Sequence, residues 1–389
     1  MRSSPPISRD HETYWLYAAV SLGTFGATGL GVVLLPLSQD LAVPYTSVSY
    51  YPALYAAANV VTGFIGGSVV RRMGLHATGI LGIVLLLAGA ASFILPTTVT
   101  LAPVLLGFGG AFISIMVPAR LAQLYGIHTA MIQAEANATS SAVSIAPSML
   151  VSAALAMGLS WKLGFVAPTF IAGGVLLAMA ATLQSSPERP LPEPLPEATG
   201  SQTVARPMIG LFLAVAVEFA VVYWAAPVTQ EWFDISSSLA VLSSGTFIAG
   251  VASGRVLARG FIRAYSAPRL VFGGTAVAFT GFWLFFFSAW YGLALPALLI
   301  MGWGVSVFYP VLVTRMMAAF PTRRERGAQL ALFSAGLASG ASPWLLGVLT
   351  NVVSVRMALL VVPLYLIALA VIQPGVVSSL RRARRAPVA

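Results

Sequence analysis

The chain has 389 residues, of which 58% are hydrophobic and only 8% charged. Soluble globular domains carry roughly a quarter charged residues, so this composition cannot supply a water-facing surface and marks an integral membrane protein. Cysteine is absent and the three histidines, His11, His76 and His128, are not spaced as a metal pair, which excludes disulfides, thiolate catalysis and a cysteine-built metal site.

A membrane-spanning helix needs about 20 mostly apolar residues. Twelve stretches qualify, at residues 14–36, 48–70, 74–95, 99–121, 131–157, 161–183, 207–229, 237–258, 268–288, 291–318, 327–350 and 354–376. The opening "MRSSPPISRDHET" is short and polar, and the run after it is too long for a signal-peptide core. No cleaved targeting segment is expected.

In span two, Tyr51, Tyr55 and Asn59 recur at i, i+4 and i+8, a polar stripe on one helix face. Such a stripe lines a wet cavity or bonds to a neighbouring helix. Span four ends near Arg120, and span five opens with Glu135 and Asn137, then Thr139, Ser140, Ser141 and Ser144. For the hydroxyls, packing between helices is the favoured reading. Arg120 and Glu135 sit at adjoining span ends, and Arg315 with Glu325 repeats the theme in the second half. Two readings stand for these pairs: a cytoplasmic gate that breaks and reforms, or static ion pairs. In a variant of the first, Arg120 reaches upward to hold an anionic substrate.

Between spans six and seven lies "QSSPERPLPEPLPEATGSQTVARP" (184–207), Pro- and Glu-rich and without apolar period. It reads as a flexible linker and divides the chain into an N-terminal six-helix bundle (1–183), the linker (184–206) and a C-terminal bundle with a basic tail (207–389). Span seven, "IGLFLAVAVEFAVVYWAAPVTQ", holds Glu218 about eleven residues in, or ~17 Å at 1.5 Å per residue, near the middle of a ~30 Å hydrocarbon core. An ionised acid at that depth is costly unless it is paired or faces water. Removal from water favours the neutral form, which suits such a group to take up and release a proton. Glu218 is therefore the leading candidate for proton coupling or substrate binding, with Glu135 next. The alternative is a structural acid bonded to a neighbouring helix.

The halves also resemble each other. "GGSVVRRMG" (66–74) matches "ASGRVLARG" (252–260), and "MIQAEANATSSAVSIAP" (131–147) matches "GAQLALFSAGLASGASP" (327–343). Duplicated helical bundles are typical of secondary transporters, with the site between the halves near mid-bilayer. Small-xxx-small pairs Gly63/Gly67, Gly250/Gly254 and Gly336/Gly340 predict close helix contacts at a moving interface.

With both termini on one side, that side collects all of the 21 Lys and Arg except Lys162 and Arg356, including an expected loop from Arg255 to Arg269. The positive-inside rule makes it cytoplasmic. The net charge of +10 is then a topology signal rather than a nucleic-acid footprint, although "RRARR" (381–385) also suits anionic lipid. No Walker-type phosphate loop occurs, so ATP-driven transport has no support.

Twelve spans in two duplicated halves with a central linker resemble the major facilitator superfamily over essentially the whole chain. The superfamily's loop 2–3 motif, Gly-x-x-x-Asp-Arg-x-Gly, is matched by "GSVVRRMG" at Gly67, Arg72 and Gly74, with Arg71 where the family has its aspartate. That resemblance implies the major facilitator fold, but without the acid that helps latch the cytoplasmic side. "AVEFAVVYW" (216–224) and "GWGVSVFYPVL" (302–312) are similar to spans seven and ten of the fucose-permease-like sugar:proton symporters. The acids those carriers use in spans one and four are missing, and Ser114 stands in the span-four position. Spans seven and ten line the cavity in this superfamily, so the resemblance makes Trp224, Trp303 and Tyr309 cavity candidates; plain packing is the alternative.

The expectation is an all-α membrane protein, a monomeric carrier in the cytoplasmic membrane with the lipid bilayer and a small solute as its partners. It would be proton-coupled, without cofactor, nucleic acid or metal, and the resemblance points to a sugar-type solute. The alternative is a proton-antiport exporter of drugs or amphipathic metabolites. A third class, an intramembrane enzyme or receptor, lacks any catalytic constellation in the sequence.

Overall fold

Within hydrocarbon only a helix satisfies its own backbone N–H and C=O groups along a single segment, so each long apolar stretch folds as helix. The structure, a computed structural model, describes residues 9–183, 205–319 and 324–372. Among the described residues there are twelve helical spans: 1, His11–Asp40; 2, Tyr45–Met73; 3, Leu75–Ser92; 4, Leu101–Tyr125; 5, Met131–Ala156; and 6, Trp161–Thr182. They continue as 7, Ala205–Phe233; 8, Ser237–Leu257; 9, Ala267–Phe286; 10, Tyr291–Met317; 11, Leu330–Leu349; and 12, Val355–Ile372. The protein is an all-α membrane protein. The linker falls outside the described residues except for Ala205 and Arg206, which already belong to the helix of span 7.

Local chemistry moves several edges. Span 1 starts at His11 because the Asp10 carboxylate caps it, accepting the Thr13 N–H at 2.8 Å. The helix of span 8 runs on past its apolar stretch to Ala264, with no proline to stop it before Pro268. Arg255 itself lies inside span 8, near its end, and not at the start of a loop from Arg255 to Arg269. Spans 5, 10 and 12 are each broken, at Ser144–Ile145, Ser306–Val307 and Leu359–Leu360. Pro147, Pro310 and Pro363 follow these breaks closely. Proline has no N–H to give the carbonyl four residues back, and its ring crowds that carbonyl. Gly74 alone joins spans 2 and 3, at φ 85°, a conformation that costs a residue with a Cβ dearly.

Spans 1–6 pack together, as do spans 7–12, and the halves meet where span 2 crosses span 11, span 5 crosses span 8, and span 1 lies on spans 7 and 8. The closest approaches lie at the end away from the linker. A Cβ on Gly340 would sit 2.5 Å from Ala56 Cβ and 2.9 Å from Ala53 Cα, so the span 2–11 crossing needs glycine. Gly245 likewise abuts Ser148, and Gly347 abuts Ser49. Toward the linker end the halves part: nothing lies within 4 Å of a Cβ built on Gly63, and only its own helix's Arg71 is near Gly67. Gly250 and Gly254 pack against span 10 within their own half. Of the three glycine pairs expected at a moving interface, Gly336/Gly340 is therefore the one that lies between halves in this state.

Candidate functional site

Glu218 lies within one residue of the midpoint of the 29-residue helix of span 7. Its carboxylate stands 3.6 Å from the Arg255 guanidinium of span 8. Arg255 also donates to the Ser141 hydroxyl of span 5 at 3.3 Å, so one side chain joins the acid of the C-terminal half to a hydroxyl of the N-terminal half. Helical spacing explains how it arrives there. Gly250 and Gly254 turn toward span 10, whereas Ala252, Arg255 and Val256, at i, i+3 and i+4, face the other half.

These residues form one wall of a cavity of about 570 Å³ between spans 5, 8 and 10. Asn137, Ser140 and Ser141 face them from span 5, and Ser306 and Tyr309 from span 10. The cavity lies beside the breaks of spans 5 and 10, where Ile145 and Pro310 also line it. Glu218 stands behind the guanidinium with 20% of its side chain exposed, and Tyr309 is within electrostatic reach of both charges. Irregular backbone at membrane depth is tolerated where it lines such a cavity.

The end away from the linker is shut by polar contacts between the halves. Gln39 donates to Gln230 at 3.1 Å, Ser237 donates to Gln39 at 2.8 Å, and Gln230 donates to Ser237 at 2.9 Å. The Tyr45 hydroxyl donates to the Tyr223 carbonyl, and Ser152 to that of Ser238. The two basic residues at this end are also held. Lys162 lies 3.9 Å from Asp40, and Arg356 donates to the Phe286 carbonyl at 2.9 Å while stacking over Trp232.

Several expected site residues stand elsewhere. Arg120 and Glu135 do not pair with each other: Arg120 binds Glu12 through contacts of 2.6 and 3.1 Å, and Glu135 binds Arg9 at 2.5 Å and accepts from Tyr17 at 2.9 Å. Both pairs brace span 1 within its own half, because the start of span 1 lies between the ends of spans 4 and 5. Neither closes one half on the other, and neither leaves Arg120 free to reach a solute. Arg315 lies near Arg206 of span 7. The Glu325 side chain lies outside the described residues, and with it the expected Arg315–Glu325 pair.

Trp224 is 2% exposed, donating its indole N–H to the Pro343 carbonyl at 3.0 Å, so it fastens span 7 to span 11 rather than lining the cavity. Trp303 turns into a separate groove between spans 8, 9 and 10, its N–H donating to Ser253 at 2.9 Å. Tyr51 is buried against Tyr50, the Tyr55 hydroxyl lies beside Gly110, and Asn59 donates to the Tyr55 carbonyl of its own helix. None of that stripe is among the cavity's lining residues. Asn137 and Tyr309 are. Sequence reasoning missed Arg255, read as a loop charge, and Glu12, read as part of the short polar N-terminus. The signal for Arg255 was present: its arginine falls one turn before the end of an apolar run that no Pro or Gly-rich break closes.

The sequence profile of the Major Facilitator Superfamily matches residues 15–295. The chain belongs to this superfamily. This facilitator is accordingly a secondary transporter. Its fold is shared with a bacterial homologue of the human lysosomal transporter Spinster, at TM-score 0.73 and 15% identity over 94% of this chain and 97% of that one. A D-xylose–proton symporter superposes at TM-score 0.72 and 16% identity, over 93% and 97% of the two chains. The E. coli fucose:proton symporter does so at 0.64 and 14%, over 93% and 97%. No curated protein matches the chain in sequence. In this facilitator's loop 2–3 motif Gly74 makes the one-residue turn, and Arg71, in place of the family's acid, donates to Ser68 of its own helix at 3.0 Å.

Proposed function

We propose that this facilitator is a proton-coupled carrier that moves a small organic solute by alternating access, with Glu218 as the group that takes up and releases the proton. The observation that carries the reading is the Glu218–Arg255 pair at the cavity wall: a mid-span acid held by one 3.6 Å contact to a cation that also touches the opposite half. While Arg255 is near, the ionised acid is stabilised; when Arg255 is drawn away, the low-dielectric surroundings favour the neutral acid. Arg255 bridges the halves, so the charge on Glu218 and the solute bias the same equilibrium between open states, which is what coupling requires. The two sugar carriers of shared fold are named as proton symporters, which supports coupling to protons. Glu135, tied to Arg9 and Tyr17, serves in this reading as a brace.

The excess of basic residues at the linker end orients both termini to the cytoplasm, in the cytoplasmic membrane. The cavity then faces the cytoplasm and the Gln39–Gln230 end is the closed outer gate. A monomer suffices, since the cavity is built within one chain.

Glu218→Gln tests the assignment in proteoliposomes. The amide keeps the shape of the protonated acid, so solute exchange should persist while accumulation driven by a pH gradient is lost. Undiminished gradient-driven uptake would make Glu218 structural. Antiport export is the second reading, favoured by the alanine, valine and isoleucine in the lining. The direction of proton movement on adding solute separates the two.

A further inference from the structure

The ion pairs of this protein differ in how firmly they are made. Arg120 and Glu12 are bidentate at 2.6 and 3.1 Å with side chains 3% and 6% exposed, a closed structural pair. Arg255 instead reaches Glu218 at 3.6 Å and Ser141 at 3.3 Å, and its side chain is 37% exposed into the cavity. A guanidinium has five N–H donors in a planar fork matched to a carboxylate. Most of these donors are uncommitted here, and the contacts that exist are long enough to exchange.

Several of the remaining polar groups of the lining are tied to their own neighbours. Ser306 donates to the Trp303 carbonyl, Ser253 donates to the Ala249 carbonyl and accepts from Trp303, and Ser140 accepts from Thr24. The Asn137 side-chain oxygen accepts from Gln133. These groups are all neutral, and a cation finds no acid among the lining residues. Arg255 is the charged group that the described lining presents.

We infer that the cavity takes an organic anion, whose carboxylate displaces Glu218 from Arg255 while its apolar body lies against Ala138, Ala142, Val256 and Pro310. The volume of about 570 Å³ is within the usual range for small-molecule sites. This deepens the proposed coupling at Glu218 and rests on it. In the empty site Arg255 is balanced by ionised Glu218. In the loaded site it is balanced by the solute's carboxylate, and Glu218 holds one proton. The site is neutral in both states, so neither carries an uncompensated charge through the bilayer. Transport is one proton with one monoanion, and electroneutral. The groups facing Glu218 among the described residues are Arg255 of span 8 and Tyr309 of span 10, and neither supplies a competing negative charge near neutral pH.

The test is the thermal stabilisation of the purified, full-length protein by benzoate, hydrocinnamate and 4-phenylbutyrate. Their primary amides, glucose and tetraphenylphosphonium are the comparison probes. The carboxylates are expected to stabilise the wild type, with apparent affinity rising as the pH falls, by at most about tenfold per unit, the limit for one linked proton. Glu218→Gln should bind carboxylates with no such pH dependence. Arg255→Gln should bind them roughly tenfold or more weakly, as loss of a charge-assisted contact implies. The double variant Glu218→Gln/Arg255→Gln, which leaves no unpaired charge, guards against misfolding and should show the same loss. Failure of every carboxylate to stabilise the wild type, equal stabilisation by the amides, or undiminished carboxylate binding in the double variant would overturn the inference. If a neutral solute is driven by a pH gradient and that drive is lost in Glu218→Gln, the coupling stands and the anion assignment falls. If carboxylates bind through Arg255 without pH dependence, the anion site stands and the proton coupling falls.

Discussion

Gln39 of span 1 and Gln230 of span 7 meet side chain to side chain at 3.1 Å, and they occupy the same place in an internal repeat. Pro36-Leu37-Ser38-Gln39-Asp40 ends one helix, and Pro227-Val228-Thr229-Gln230-Glu231 nears the end of the other. A duplicated chain related by approximate two-fold symmetry brings equivalent residues together near the axis, as in an isologous dimer. An amide suits that place because it both donates and accepts, and can therefore pair with its own kind.

Removing this contact should ease opening of that end. Hydrogen bonds of this sort are worth about 0.5–1.5 kcal/mol net, enough to shift a two-state balance roughly 2- to 12-fold. The chain has no cysteine, and Ser49 is 4% exposed beneath the closed end. In a Ser49→Cys background, Gln39→Ala or Gln230→Ala should speed maleimide labelling by a factor in that range. An unchanged rate would show that the glutamines do not hold the gate.

Gly340 offers an independent handle on the same end. Gly340→Val places a side chain where Ala56 and Ala53 leave no space, so spans 2 and 11 cannot close there. Overpacking of this kind typically costs about 1–3 kcal/mol. Here part of that cost is relieved by opening the end. Ser49→Cys labelling should accelerate, and exchange transport should fall because one of the two states is disfavoured.

Glu12 and Arg120 should matter for stability rather than transport chemistry. Breaking a buried ion pair by removing one partner typically costs about 3–5 kcal/mol, because the other charge is stranded. Glu12→Ala and Arg120→Ala should each lower the melting temperature markedly, and Glu12→Ala/Arg120→Ala should lose less than the sum. Additive losses in that double-mutant cycle would deny the pairing.

Orientation is testable in intact cells. A single cysteine at Ser201, in the linker outside the described residues, should resist a membrane-impermeant maleimide until the cells are opened. Prompt labelling from outside would invert the proposed topology and make the cavity face outward.

What the sequence determined by itself was the material of the fold. Twelve apolar stretches of bilayer length oblige twelve helices, because hydrocarbon leaves the backbone no partner but itself. The depth of Glu218 was legible for the same reason, since depth follows from counting residues along a helix at a fixed rise. Which charges meet was decided by tertiary structure alone. Arg120 and Glu135 end neighbouring spans, yet each pairs with the start of span 1, because an ion pair depends on ångström-scale lateral placement that counting along the chain does not contain. Arg255 lay within the basic stretch that signals topology. Its place inside span 8, with Gly250 and Gly254 of the same helix packed against span 10, aims it at Glu218 and Ser141 instead. The facing of Trp224 and Trp303 away from the cavity was settled in the same way, by where each indole N–H found its acceptor, at Pro343 and at Ser253.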